Sequence, residues 1–236
     1  MDLKESQLLG EQINTHWYYR TKAIALEKIL GFKNFNSLLD VGAGSGFFTK
    51  YLLNNTSINN SVCVDIGYEG EFEEVLGEKY ISYLKSIEGN DADLVLLMDV
   101  LEHVEDDHAL LSEYVEKSKP GTTFIISVPA FQFMWSDHDV FLEHFRRYNI
   151  SELENLVTGT GLKIERSCYF FSLVFPIAFA VRMFEKLCSK SESPKSGLVK
   201  HSRFVNTVLV SLCNIDLSFF KYNRLFGLTV FCVAKK

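Results

Sequence analysis

A glycine-rich segment near the start of the chain reads Asp40-Val41-Gly42-Ala43-Gly44-Ser45-Gly46-Phe47-Phe48, and the expected architecture follows from it. The apolar pair Leu38-Leu39 precedes this segment and a helical pattern follows it, which predicts a turn between a β-strand and an α-helix. Glycines at alternate positions let the backbone adopt left-handed conformations and lie close to a bound molecule. The segment therefore predicts a site for a nucleotide-like cofactor.

Two details separate this turn from the loop that binds the pyrophosphate of dinucleotides. One residue lies between Gly44 and Gly46, where the dinucleotide loop has two. In addition, Asp40 stands two positions before Gly42, and its carboxylate would repel a phosphate. S-adenosyl-L-methionine (SAM) has no phosphate and carries an ammonium and a sulfonium charge. The segment therefore favours SAM over NAD, and an NAD-dependent oxidoreductase is the less favoured alternative.

Two further motifs follow the ends of later predicted strands. The run Ser61-Val62-Cys63-Val64-Asp65-Ile66 predicts a buried strand that ends in an acid, roughly 20 residues after the glycines, where such folds bind ribose hydroxyls. Asp65 is therefore the ribose candidate. A third apolar run, residues 92–98, leads into Asp99-Val100-Leu101-Glu102-His103-Val104.

Taken in order, the motifs DVGAGSG, VDI and DVLEHVEDD resemble those of class I SAM-dependent methyltransferases, over residues 36–170 and the final strand. The resemblance, which is to a bacterial subgroup of types 11 and 12, implies a doubly wound, Rossmann-like α/β sheet. That sheet has seven strands and is parallel except for an antiparallel last strand. The cofactor candidates are Asp40, Gly42, Ala43, Gly44, Gly46, Asp65, Ile66, Ile87, Asp99 and Val100.

Alternating strand and helix patterns agree with this fold class. The predicted strands lie near residues 37–41, 61–65, 79–83, 92–98, 122–128, 162–171 and 228–234. Predicted helices lie near residues 46–54, 70–77 and 105–118. A capping box of Ser151 and Glu154 predicts one more helix, which Gly161 ends.

The 236 residues, 47% of them hydrophobic, suit a single methyltransferase domain spanning residues 1–236. Residues 1–35 are expected to form a helical cap ahead of the first strand. About 50 residues separate the last two strands, far more than an ordinary loop, which predicts a structured helical insert over residues 171–225. The insert has helical patterns at 173–187 and 204–220, on either side of the Ser/Lys-rich stretch 189–197.

The third motif allows three interpretations. Asp99, Glu102 and His103 are spaced to share one helical face. They could form structural hydrogen bonds around the cofactor pocket, His103 could be a general base, or the three could hold a divalent ion. Some ubiquinone-pathway O-methyltransferases resemble this acid-x-x-Glu-His pattern, so a bound divalent ion remains one of the three interpretations. We assign no residue as a metal ligand.

The segment from Pro129 to Tyr148 leaves the carboxyl end of a predicted strand, the edge at which open α/β sheets bind ligands. It is similar to a PAF...WS.HD...H.RRY stretch of a bacterial methyltransferase subgroup, which also resembles the run His16-Trp17-Tyr18-Tyr19-Arg20 here. The acceptor-binding candidates are Trp17, Tyr19, Trp135, Arg146, Arg147 and Tyr148. A surface loop, with the arginines in salt bridges, is the alternative. The candidate bases are His103, His138 and His144.

Charge and cysteine patterns restrict the classes of partner and binding site that the sequence allows. The net charge is −6, and residues 182–236 carry ten basic and three acidic side chains, so +7, which leaves −13 for residues 1–181. An acidic body argues against nucleic acid. The five cysteines include no CxxC pair, which argues against disulfides and zinc. The absence of a signal peptide or spanning segment predicts a cytoplasmic protein.

Residues 167–181, which run from the preceding predicted strand into the insert, include no charged side chain, and basic residues follow. This pattern fits peripheral contact with a membrane through residues 170–203, while a cover over the site or a homodimer contact is the alternative. We predict a SAM-dependent methyltransferase that modifies a small-molecule, glycan or lipid-precursor acceptor at oxygen. An N-methyltransferase and a non-catalytic SAM-binding or membrane-associated protein are the alternatives.

Overall fold

A mixed eight-stranded sheet organises the chain. The computed structural model describes residues 9–31, 33–188 and 202–236. Its strands are β1 Ser37–Val41, β2 Asn60–Val64, β3 Phe72–Leu76, β4 Lys79–Leu84, β5 Leu94–Met98, β6 Thr123–Pro129, β7 Lys163–Phe170 and β8 Thr229–Lys235. They lie side by side in the order β3-β4-β2-β1-β5-β6-β8-β7.

The five central strands, β4, β2, β1, β5 and β6, are parallel. The last strand, β8, runs antiparallel to both β6 and β7, as predicted. Because the chain winds outward in opposite directions from β1 and β5, a crevice opens at the carboxyl ends of these two neighbours. The glycine-rich segment and the Asp99 motif both leave the sheet at this crevice.

Helices cover both faces of the sheet. They are α1 Trp17–Leu30, α2 Phe47–Asn55, α3 Asp107–Lys117, α4 Asp137–Phe141, α5 Ile150–Gly159, α6 Phe175–Cys188 and α7 Arg203–Asp216. One hydrophobic core joins the sheet to α1, α2 and the end of α7. The other core joins the opposite face to α3 and α5. This is the doubly wound α/β architecture predicted from the sequence, with one more strand than expected.

The extra strand replaces a predicted helix. Residues 70–77 were expected to be helical, and this prediction is wrong because β3 occupies the segment and pairs antiparallel with β4. Leu76 pairs with Lys79, so only Gly77 and Glu78 form the turn, and Gly77 has a φ of +66°. A glycine with positive φ in a two-residue loop favours a hairpin. Phe72 also stacks on Tyr83 with ring centroids 4.2 Å apart.

The capping box before α5 was also misplaced. Asn149, not Ser151, caps this helix: its side chain accepts a hydrogen bond from the Glu152 N–H, and Glu152 accepts one from the Asn149 N–H. Asn and Ser are both good N-cap residues, and both are followed by a Glu three positions later, so the pattern fits either start.

The insert between β7 and β8 contains the two expected helices, α6 and α7. The second is shorter than the predicted 204–220, and a 3₁₀ turn at Phe220–Tyr222 follows it. Asn206 on α7 accepts a hydrogen bond from the Trp17 N–H at 2.8 Å, which joins the insert to α1. The predicted linker 189–197 lies outside the described residues.

Candidate active site

The glycine-rich turn closes tightly against the sheet. Gly42, Gly44 and Gly46 all have positive φ, between 54° and 69°, which few other residues adopt. The N–H groups of Gly42 and Ala43 donate to the Val64 carbonyl at 2.7 and 3.2 Å, which fixes the turn to the end of β2. A Cβ added at Gly42 would lie 2.7 Å from a methyl group of Val100. The turn and the end of β5 therefore form two adjacent walls of one crevice.

Asp65 lies beside the turn, at the end of β2. Its carboxylate accepts hydrogen bonds from the Gly44 N–H at 2.9 Å and from the Gly67 N–H at 2.8 Å. The next residue, Ile66, has 92% of its surface exposed, which is unusual for a large apolar side chain. Ile87 lies partly buried against the core on one face of the sheet. This edge thus combines a carboxylate with an uncovered apolar side chain.

Asp40 is buried below the turn rather than exposed in the crevice. Its side chain accepts a hydrogen bond from the Thr49 hydroxyl at 2.7 Å, and only 2% of the residue is exposed. Burial raises the pKa of Asp40 to about 6, although the Thr49 hydrogen bond opposes the rise. Its charge therefore acts on the crevice through the turn and not by direct contact.

Asp99, at the other wall, is held by the N-terminal helix. Its carboxylate accepts hydrogen bonds from the ammonium of Lys22 on α1, at 2.6 Å for Oδ1, and from the Tyr18 hydroxyl at 3.3 Å. Lys22 is completely buried and its Nζ also contacts the Tyr18 hydroxyl at 3.0 Å. Burial favours the neutral acid, but the charge and hydrogen bond of Lys22 hold the pKa of Asp99 below its ordinary value.

Glu102, His103 and His144 come together next to Asp99. Glu102 and His103 belong to a 3₁₀ turn, Leu101–His103, while His144 follows α4. The two imidazole rings meet edge to face with centroids 4.6 Å apart. Burial, reinforced by the charge of Asp99, raises the pKa of Glu102 well above its ordinary value, and burial lowers the pKa of His103 to about 3. The cluster is thus polar and close to one wall of the crevice, with Glu102 buried and the two histidines partly buried.

A buried ion pair of Asp139 and Arg147 contacts the ring of His144. The Asp139 carboxylate contacts His144 Nδ1 at 3.0 Å and accepts two hydrogen bonds from Arg147, from Nε at 2.6 Å and from Nη2 at 3.0 Å. Burial acts against ionisation of Asp139, but the bonds from His144 and Arg147 hold its pKa far below the ordinary value. His138 lies on the same short helix, where burial lowers its pKa to about 4.

The sequence model of the methyltransferase domain matches residues 15–167, which is most of the chain. This chain belongs to that methyltransferase family. The matched range includes the glycine-rich turn, Asp65, the Asp99 wall and the Glu102 cluster, so all of these motifs lie within the family domain. The methyltransferase is an enzyme that uses SAM, and the class and cofactor predicted from the sequence are confirmed.

Solved structures share the fold of this methyltransferase. A methyltransferase of Haloferax volcanii, in complex with the Trm112 activator, has a TM-score of 0.59 at 16% identity, covering 95% of this chain and 91% of the other. A SAM-dependent methyltransferase from Archaeoglobus fulgidus gives 0.55 at 22%, covering 92% and 93%. Phosphoethanolamine N-methyltransferase 2 of Haemonchus contortus, bound to SAM, gives 0.56 at 17%, covering 100% and 60%. A search of curated sequences gave no significant match.

The glycine-rich turn of the methyltransferase has no room for side chains at Gly42 and Gly46. A Cβ at Gly46 would lie 2.8 Å from the Tyr83 hydroxyl, as the one at Gly42 would meet Val100, so only glycines allow this compact turn. The role of Asp65 as the partner of the ribose and the contact of Ile66 with the cofactor remain predictions from the sequence. The parts played by Ile87, Asp99 and Val100 remain predictions from the sequence.

Some of the predicted acceptor residues of the methyltransferase are held in ion pairs and hydrogen bonds, and others pack against aromatic side chains. Arg147 is bonded to Asp139, while Arg146 and the Tyr148 hydroxyl contact Asp107 at 3.2 and 2.7 Å. These contacts correspond to the salt-bridge alternative. Tyr19 is buried against Phe47 with ring centroids 5.6 Å apart. Trp17 packs edge to face on Phe171, and Trp135 is partly buried. Their contact with an acceptor remains a prediction.

Sequence patterns did not indicate Lys22, Tyr18 or Asp139, which help to build the site of this methyltransferase. Lys22 and Tyr18 hold Asp99, and Asp139 holds His144. Arg182 of α6 donates a hydrogen bond to the Met134 carbonyl, which joins the insert to the acceptor segment. The only local signal was the HWYYR run next to Lys22. Lys22 and Tyr18 lie 77 and 81 positions before Asp99, and the contact of Asp139 with His144, five positions apart, depends on how that loop folds.

Proposed function

We propose that this enzyme methylates a hydroxyl oxygen of an acceptor that has an apolar part. The observation that carries the proposal is the cluster of Glu102, His103 and His144 beside the Asp99 wall, in which Glu102 is buried and the two histidines are partly buried. Methylation of a hydroxyl releases a proton, whereas a neutral amine can be methylated without losing one first. A buried carboxylate and two imidazoles offer groups toward which the hydroxyl proton can leave.

Bound SAM supplies a methyl group that is already activated, so the protein has to align the acceptor and exclude water. The interlocked side chains around Asp99 serve this alignment. Lys22 and Tyr18 hold the Asp99 wall in place, and the bond from Asp139 fixes the orientation of the His144 ring. The predicted bases, His103, His138 and His144, all lie on this side of the crevice.

A group of aromatic side chains supports the proposal that the acceptor has an apolar part. Phe131 stacks on Tyr169 with centroids 4.9 Å apart, and Phe133 and Phe175 lie within 6 Å of Phe131. Phe131 has a φ of +61°, which few non-glycine residues adopt, so the start of the acceptor segment is held in an unusual conformation. This ring group connects the acceptor segment to α6. A glycan or small molecule joined to a lipid would combine a hydroxyl with such a surface.

The experiment compares matched acceptors. The purified enzyme is incubated with methyl-labelled SAM and pairs of compounds that have the same skeleton and differ only in a hydroxyl or an amino group. We expect S-adenosylhomocysteine and an O-methyl product from the hydroxyl members, identified by mass spectrometry. Transfer to the amines alone would show that the enzyme is an N-methyltransferase and would overturn the proposal.

We further propose that the acceptor is reached at a membrane surface. In the part of the chain that the structure describes, no helix is long and apolar enough to cross a bilayer. Both insert helices nevertheless expose large apolar side chains, including Phe184 of α6 at 67% and Phe204 of α7 at 78%. Exposed apolar groups beside basic residues favour binding at an anionic interface. Residues 189–201 of the predicted contact lie outside the described part.

Liposome co-sedimentation tests this proposal. We expect binding to anionic vesicles at low salt, and less binding for the variant Phe184→Asp/Phe204→Asp. Val75→Asp is the matched control because Val75 is 59% exposed at the far edge of the sheet. Absence of binding at low salt would exclude membrane contact. A parent dimer that becomes monomeric in the double variant would show that these helices pair two copies instead.

A further inference from the structure

Glu102, His103 and His144 are arranged as ligands of a metal ion. One ligand atom from each residue, a carboxylate oxygen or an imidazole nitrogen, lies within 4.8 Å of the other two. An ion bound at about 2.0 to 2.2 Å from each ligand requires ligand atoms that are roughly 3.4 Å apart. Small rotations of the three side chains would close this difference. A carboxylate and two imidazoles form a set that transition metals use in catalytic sites.

The buried carboxylate of Glu102 is not fully hydrogen-bonded in the described part of the chain. The residue is 1% exposed, and among the described residues its Oε2 atom has no hydrogen-bond partner. A buried carboxylate oxygen is normally hydrogen-bonded, paired with a cation or bound to a metal. Lys22, the buried cation nearby, donates to Asp99 and Tyr18. The oxygen of Glu102 is therefore free to bind an ion.

Both imidazoles are oriented through their other nitrogen atoms. Asp139 contacts His144 at Nδ1, which leaves Nε2 for a ligand. His103 has a hydrogen bond with the backbone of Leu142. Metal-binding histidines usually donate one N–H to a carboxylate or a backbone carbonyl, which fixes the ring and the tautomer. The bidentate bond from Arg147 in turn keeps Asp139 in place.

We propose that Glu102, His103 and His144 bind one divalent transition-metal ion of the zinc type. Imidazole ligands favour such an ion over magnesium or calcium, which prefer oxygen. Three protein ligands leave a coordination position for an acceptor oxygen. This consequence rests on the proposed hydroxyl methylation. With the ion bound, the three side chains are its ligands and do not accept the proton themselves: the ion lowers the pKa of the bound hydroxyl, and the proton passes to water.

The ligand set differs from the acid-x-x-Glu-His pattern in the sequence. That pattern would use Asp99, but both carboxylate oxygens of Asp99 accept hydrogen bonds from Lys22. His144, which lies 41 positions after His103 in the sequence, takes the place of Asp99. The two ligand sets therefore make opposite predictions for variants of Asp99 and His144.

The test measures metal binding directly. The full chain is stripped with a chelator and titrated with Zn²⁺ by calorimetry and with Co²⁺ by visible spectroscopy, whose d–d bands report on the coordination. We expect one equivalent of metal per chain. Glu102→Gln and His144→Asn should weaken binding at least about 100-fold. Asp99→Asn should keep the stoichiometric site, and so should His108→Asn, a control at an exposed histidine of α3. Circular dichroism establishes that each variant is folded.

The outcomes separate this inference from the proposed function. Failure of the parent protein to bind Zn²⁺ or Co²⁺, with methyl transfer intact without added metal, overturns the metal site and leaves hydroxyl methylation in place. Loss of the metal in folded Asp99→Asn, with retention in His144→Asn, overturns the ligand set. A bound metal in an enzyme that methylates only amines confirms the site and overturns the proposed acceptor chemistry.

Discussion

The two walls of the crevice are built by different means. The wall that the glycine-rich turn forms, which we call the cofactor wall, consists of residues 40–48, which follow one another along the chain. Its backbone N–H groups donate to the Val64 carbonyl and to the Asp65 carboxylate and so hold it in place. The Asp99 wall, which we call the acceptor wall because the segment with the predicted acceptor residues adjoins it, is assembled from α1, the Glu102 turn and the segment after α4. Buried charges hold this wall in place. Lys22 pairs with Asp99, and Arg147 pairs with Asp139.

This difference predicts different consequences of mutation. The shape of the cofactor wall depends on backbone conformation, so substitutions there should affect SAM binding first. The acceptor wall contains charges that are partly or wholly removed from water, so removal of one partner leaves the other charge without compensation. Substitutions at that wall should therefore affect the stability of the whole protein first.

The largest effect should come from Lys22→Met. This change leaves the largely buried Asp99 carboxylate without its cation, and we expect a loss of about 3 to 5 kcal/mol in the free energy of unfolding. Urea denaturation measures it. Lys28→Met, at an exposed position of the same helix, is the control and should change stability little. Adding Asp99→Asn to Lys22→Met should recover part of the loss. No recovery would mean that the ion pair does not hold this wall.

Gly42→Ala should come next and should affect the other wall. The new Cβ would lie 2.7 Å from Val100, at a residue with a φ of +63°. We expect SAM binding in calorimetry to weaken by about 100-fold, or roughly 3 kcal/mol. Gly161→Ala has a similar strain, with a φ of +85°, but no atom lies within 4 Å of its added Cβ. If Gly161→Ala weakened SAM binding as much, the effect would be one of stability and not of the site.

Asp65→Ala should have a smaller effect, confined to the cofactor. Loss of the ribose partner should weaken SAM binding by about 1.5 to 3 kcal/mol, or roughly ten- to a hundredfold, with the fold intact. Asp91→Ala, at an exposed acid after β4, is the control. Unchanged SAM affinity in calorimetry would remove Asp65 from the site.

The smallest effect should be a gain in stability. The pKa of Asp40 is raised to about 6 in the folded protein from an ordinary 3.8, so ionisation of this acid becomes unfavourable to folding as the pH rises from about 4 through 6. Asp40→Asn, which stays neutral, should therefore stabilise the SAM-free protein at pH 7.5 by about 1 to 3 kcal/mol, and by much less at pH 4. An equal gain at both pH values would argue against burial of the charge as the cause.

The same contrast explains what the sequence could predict. The glycine-rich turn, Asp65 and Asp99 each follow an apolar strand, so their positions at one sheet edge could be inferred from local patterns and parallel topology. Lys22 gives no such signal, because its partner Asp99 lies 77 positions away and a lysine on an amphipathic helix is usually solvated. The Asp139 contact with His144 also depends on how one loop folds.

Local pattern failed where two structures fitted it equally. Residues 70–77 are rich in glutamate and suit a short helix by composition, but the glycine turn and the pairing of Phe72 with Tyr83 favour a hairpin. The two possible caps of α5, Asn149 and Ser151, differ only in tertiary surroundings. In both cases the decision comes from contacts that composition does not record.

The strand β3 also affects how the molecule behaves in solution. A strand at the edge of a sheet offers unpaired backbone groups with which another extended chain can pair, and such pairing leads to aggregation. Phe72 and Val75 are 51% and 59% exposed there and would add to the attraction. The strand is only five residues long and carries Glu73 and Glu74. The same edge of a second molecule could therefore form few hydrogen bonds with it, and the glutamates of the two copies would repel each other. The glutamates that suggested a helix therefore discourage this protein from polymerising edge to edge.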